Sequence, residues 1–83
     1  SHVETLKTLR ERFEKARLDE IERYASKLSR LSPDDRAVVE RMTETLLHKI
    51  LHNPTIGLKE GDASERLTRA AVVRALFKLD GGE

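Results

Sequence analysis

Eighty-three residues with sixteen basic and fifteen acidic side chains, a formal charge of +1, make one small domain without an overall pull towards nucleic acid or an anionic membrane. Cysteine is absent, which excludes a disulfide framework, a thiolate nucleophile and a cysteine zinc site. Charged and hydrophobic residues stand at 37% each, and no apolar run approaches the roughly 18 residues that span a bilayer.

Helical periodicity is already running at the third residue. Val3, Leu6, Leu9, Phe13 and Ala16 recur at spacings of three and four, and Ile21, Tyr24, Leu28 and Leu31 resume the pattern. Together they predict a helix from Val3 to Arg30. Ser1-His2 reads as the remnant of a cleaved tag, and the chain as a fragment cut through a long helix of a larger protein. Glu11–Lys15 and Asp19–Arg23 stand four apart in the favourable order for ion pairs. Between Ala16 and Ile21 the apolar phase slips by one residue, which excludes a uniform coiled coil.

Ser32-Pro33-Asp34-Asp35 predicts a helix start: Ser32 can cap, Pro33 suits the first turn, and the two acids face the positive end of the dipole. The second helix carries Val38, Val39, Met42, Leu46, Leu47, Ile50 and Leu51, an arc wide enough to need two neighbours. Asn53-Pro54 is expected to end it, leaving residues 53–62 as a loop. Asp62-Ala63-Ser64-Glu65 has the form of a capping box. A third helix follows through Leu67, Ala70, Ala71, Val73, Leu76, Phe77 and Leu79, with Gly81-Gly82 closing it. The fold class is all-α: three helices with a long N-terminal one, in a dimeric helical bundle. About 28 helical residues span roughly 42 Å, and a compact chain of this length has a radius of gyration of about 12 Å. The first helix should therefore overhang, and a second copy is the simplest cover for its apolar stripe.

Chemistry is thin. His48 and His52 have the i,i+4 spacing of a metal pair, but Lys49 stands where H-E-x-x-H needs glutamate, and no third ligand is evident. One of the two is expected at the surface and the other near the helix end, where a cation is favoured. Asp34-Asp35 is explained by capping and Asp19-Glu20 by a solvated face. No metal, catalytic or cofactor-binding residue is therefore assigned. The first helix mixes its basic residues with acids and offers no aromatic stacking platform for RNA. By these features alone the chain is an interaction module: an oligomerisation or adaptor unit, or a weak RNA-binding helical domain. The expected core or dimer contacts are Leu9, Phe13, Ile21, Tyr24, Val39, Met42, Leu46, Leu47, Ile50, Leu76 and Phe77.

The string Val39-Glu40-Arg41-Met42-Thr43-Glu44-Thr45-Leu46-Leu47-His48-Lys49-Ile50-Leu51-His52-Asn53-Pro54-Thr55 resembles the C-terminal dimerisation domain of glutamyl-tRNA reductase, whose helix carries a pattern close to L-T-x-x-L-x-x-K-L-L-H-x-P-T. Ile50 stands where that pattern more often has leucine. Lys27-Leu28 before the turn and Leu76-Phe77-Lys78-Leu79 at the end extend the resemblance over nearly the whole chain. It implies that residues 3–31 are the end of a long spinal helix and residues 32–83 the dimerisation domain, the two acting as one unit. It also implies a cytoplasmic parent enzyme that reduces glutamyl-tRNA with NADPH to glutamate-1-semialdehyde for tetrapyrrole (porphyrin) synthesis. The implied partners are a second copy, the upstream part of the parent chain and the tRNA, with no membrane. The nucleophilic cysteine and NADPH site of that family have no counterpart in these residues.

Overall fold

The computed structural model describes residues 1–80, and among them every regular element is a helix. These are α1 (His2–Arg23), α2 (Ala25–Leu28), α3 (Pro33–Gly57) and α4 (Ala63–Phe77).

The predicted first helix is in fact two. Tyr24 sits at φ −99°, ψ 11°, outside the helical well, so the α ladder is interrupted there and restarts at Ala25. The break is mild: Tyr24 N–H still donates to Glu20 O at 3.1 Å and Leu28 N–H to Tyr24 O at 2.9 Å. Ser1 acts as the N-cap of α1, its Oγ accepting from Glu4 N–H at 3.4 Å. On the outer face Lys15 reaches Asp19 at 2.8 Å, so Arg23 pairs with Glu20 at 3.6 Å instead of with Asp19.

Ser32 caps α3 as its sequence predicts, accepting from Asp35 N–H at 3.1 Å. The expected stop at Asn53-Pro54 does not occur, and α3 continues to Gly57 with Pro54 inside it. Proline removes one ladder donor, from the bond to Ile50 O. The turn around it is held by the Thr55 hydroxyl, which donates to Leu51 O at 2.6 Å, and by Leu58 N–H on Pro54 O at 3.0 Å. The ten-residue loop shrinks accordingly to residues 58–62.

The capping box at α4 forms in full: Glu65 N–H donates to Asp62 Oδ1 at 2.9 Å and Asp62 N–H to Glu65 Oε1 at 3.0 Å. Gly61 precedes it at φ 82°, a conformation that favours glycine. α4 ends at Phe77, where Lys78 takes the left-handed conformation (φ 52°, ψ 46°) and Leu79 N–H returns to Arg74 O at 3.0 Å. The predicted closure by Gly81-Gly82 lies outside the described residues.

α1 is the spine of the fold and packs against both α3 and α4. The core is small and lies towards one end. Leu6, Leu58 and Ala70 form one buried cluster; Leu9, Leu51 and Leu79 form the other, with Phe13 and Val73 against it. Phe77 meets Phe13 edge to face, ring centroids 5.6 Å apart. Thr5, wholly buried, accepts from Arg74 Nε at 2.7 Å, and Arg74 also holds Asp80 at 2.6 Å, tying α4 and the chain beyond it to α1. The shape is elongated, 51 × 24 × 15 Å with a radius of gyration of 15.8 Å, well above the roughly 12 Å of a compact chain.

Candidate functional site

α4 covers α1 only as far as Phe13. Beyond that point α1 and α2 run beside the first half of α3 without a third helix over them, and a groove of about 420 Å³ opens between them. Its apolar walls are Phe13, Ala16, Ile21, Tyr24 and Leu28 from one side and Val39, Leu46 and Leu47 from the other. With Arg17 and Glu20 on one side and Thr43 on the other, the lining residues of each wall follow i,i+3 and i,i+4 spacing and share one helix face, so two helices laid side by side produce a continuous trough.

Arg17, Glu20 and Thr43 are the polar residues along it. The Arg17 side chain is only 9% exposed and forks onto Glu14, Nε to Oε1 at 2.9 Å and NH2 to Oε2 at 2.6 Å. Its NH1 reaches Thr43 Oγ1 at 3.4 Å, a polar link from α1 to α3. The Arg17 hydrogen bond holds the Glu14 carboxyl below the usual carboxylate range, and the same bond raises the guanidinium.

The eleven expected contacts divide between core and surface. Leu9 is fully buried, and Phe13, Ile21, Val39 and Leu47 are half-buried. Tyr24, Met42, Leu46, Ile50, Leu76 and Phe77 are exposed in the single chain, Phe77 with one edge on Phe13. Tyr24 instead lies under the Arg23 guanidinium, 5.5 Å from the ring centroid. Leu46 is 55% exposed and belongs to the groove wall, while Val38, Met42 and Ile50 continue it as an uncovered i,i+4 stripe along α3. Along this half α3 has α1 and α2 on one side, and among the described residues no helix covers the other side of its wide apolar arc. On α4, Leu67, Val72 and Leu76 face outwards, Leu76 at 73% exposure.

His48 and His52 are both exposed on α3 and line a separate cleft of about 470 Å³ with Arg10, Glu14 and Glu44. The expectation that one histidine serves the helix end fails because α3 runs on to Gly57. Among the described residues no group of three or more His, Cys, Asp or Glu comes together as a metal shell. No described helix is long and apolar enough to cross a membrane.

The buried residues absent from the expected set are Thr5, Leu6, Leu51, Leu58, Ala70 and Leu79. Four of these lie in the apolar stripes of the sequence. Leu58 was hidden by reading Pro54 as a stop, and Thr5 by its polarity, although its place one residue before Leu6 and four before Leu9 puts it at the edge of the buried face.

A family model described as glutamyl-tRNA(Glu) reductase, dimerisation domain, matches residues 1–79. The chain is 37% identical over 78 residues to a glutamyl-tRNA reductase of Roseiflexus castenholzii, covering 94% of this chain and 18% of that protein. It is 38% identical over 76 residues to one from Chloroflexus aurantiacus, covering 90% and 18%. To one from Syntrophobacter fumaroxidans it is 37% identical over 82 residues, covering 98% and 18%. The chain thus spans about a fifth of the length of these curated relatives. No solved structure matches it.

Proposed function

Since this chain belongs to the dimerisation-domain family of glutamyl-tRNA reductases, we propose that it pairs two copies of a longer reductase through the α1–α3 groove and the adjoining α3 stripe. The observation that carries this reading is the surface left uncovered. A compact 9.5 kDa chain exposes about 5,000 Å², whereas this one exposes 6309 Å². The excess of about 1,300 Å² is more than the roughly 800 Å² that each partner buries in a standard interface. Met42, Leu46 and Ile50, each about half exposed or more, lie beside the apolar groove walls in a chain otherwise rich in charge.

In the longer protein this unit would hold two catalytic halves in a fixed relation while chemistry is done elsewhere. That chemistry is the NADPH-dependent reduction of the glutamyl group of glutamyl-tRNA to glutamate-1-semialdehyde, in the cytoplasm, for tetrapyrrole synthesis. The residues here bind neither cofactor nor tRNA in this reading. They contribute affinity for a second copy.

Sedimentation equilibrium over a wide concentration range tests the proposal. The expected result is a dimer for the unaltered chain and a folded, helical monomer for Leu46→Asp, because a carboxylate in a dry interface has no partner. A monomer for the unaltered chain, or a dimer of unchanged affinity for the variant, would remove the groove from the interface.

A further inference from the structure

Resting on the self-association reading, we infer that the groove of one copy is filled by the outer face of α4 from the second copy, and reciprocally. Three observations converge on this occupant.

The first is the composition of α4. Its inner face, Ala70, Val73 and Phe77, is spent on its own α1. The opposite face is Leu67, Thr68, Ala71, Val72, Ala75 and Leu76, all exposed and none charged, in a chain that is 37% charged. A solvated helix face in such a chain would carry lysine, arginine or glutamate. Small residues among larger aliphatic ones instead allow a second helix layer to come close.

The second is the position of the groove. Its own α4 stops at Phe77, stacked on Phe13, and Phe13 is also the first groove wall. The groove is therefore the continuation of the seat that α4 already occupies, with the helix missing from its second half.

The third is length. From Phe13 to Leu28 the chain rises about 22 Å, and the fifteen residues of α4 rise about 22 Å. One α4 fits the vacant stretch without remainder. Two flat protomers stacked about a two-fold axis then form three layers. The α1–α3 pairs are outside and the two α4 helices between them, each with its inner face on its own chain and its outer face in the partner's groove. The contact is isologous and closed, so the assembly stops at two.

The absence of cysteine makes the test clean. Chains carrying Ala16→Cys, in the groove, are mixed with isotopically heavy chains carrying Ala75→Cys, on the α4 outer face, and treated with a short bismaleimide. The expected result is a covalent dimer whose dominant linked peptide joins position 16 of one isotope to position 75 of the other. In parallel, a Leu67→Ala, Leu76→Ala chain should dimerise at least about tenfold more weakly. A dimer that links 16 only to 16, or gives no mixed link, and that tolerates the α4 changes would overturn the arrangement while leaving self-association intact. A monomer by sedimentation would remove both.

Discussion

Leu9 is the residue on which the single-chain fold leans most. It is fully buried and sits where α1, α3 and the chain after α4 converge, touching the cluster of Leu51 and Leu79 with Phe13 and Val73 against it. Leu9→Ala removes three carbons at a site whose walls come from three separate segments, so collapse into the void needs two of them to move. Leucine-to-alanine changes at such positions cost about 2–5 kcal/mol, and about 3 kcal/mol is the expectation here. A chain of this size has about 4–12 kcal/mol in total, and each kcal/mol lowers Tm by about 4–8 °C in a domain of this length. The melt followed by circular dichroism should therefore fall by about 12–24 °C. Because Leu9 is buried inside one chain, the same fall should appear at every protein concentration, unlike a change at the groove. A loss below about 1 kcal/mol in urea titration with an unchanged slope would refute the packing argument.

Gly61→Ala should cost about 1–2 kcal/mol, read as a lower Tm, because the residue keeps φ 82° and its new Cβ would lie 2.9 Å from the Glu65 carboxylate that completes the capping box; an unchanged Tm would show that the box is dispensable. The Glu14–Arg17 pair sets a direction with pH. Glu14 titrates lower in the folded chain than in the unfolded one, so its contribution is complete above the ordinary carboxylate pKa and is lost as pH falls through the lowered folded value. Chemical denaturation from neutral to acid pH should therefore show a smaller loss for Glu14→Gln than for the unaltered chain, and parallel curves would contradict the assignment.

Helix starts were legible in the sequence because their chemistry is local. Ser32-Pro33-Asp34-Asp35 and the Asp62–Glu65 box each satisfy their own backbone donors within four residues, and both form as written. The stops were not legible for the converse reason. Whether Pro54 ends a helix depends on the chain beyond it having a better place to go, and here Leu58 is buried against Leu6 and Ala70 only if α3 runs on to Gly57. That gain is tertiary and leaves no mark near Asn53-Pro54. The end of α4 at Lys78 is similar: burial of Leu79 beside Leu9 and Leu51 forces the turn, at a residue with no glycine signal. For the site, periodicity found the groove walls Phe13, Ile21, Tyr24, Val39, Leu46 and Leu47, since a face can be counted from one helix. It could not say which of them α4 covers, because that depends on where α4 lies along α1.

The uneven placement of the core bears on how folding and pairing are linked. Both buried clusters lie where α1 meets the end of α3 and α4, around Leu6 and Leu9. The other end, from Ile21 through α2 to the start of α3, has no fully buried residue and is bridged chiefly by half-buried groove walls and the Arg17–Thr43 contact. Local opening follows such differences in buried contact, so that end is the less stable part of one chain. It is also where the α-helical ladder lapses at Tyr24 and where the apolar groove opens. In the proposed pairing a second copy seated in the groove would bury area there as well as on the outer face of α4, so pairing would stabilise the segment that folding alone leaves weakest. In the proposed pair the wide apolar arc of α3 and the uncharged outer face of α4 would have one common cause: each helix would serve two layers, only one of them from its own chain.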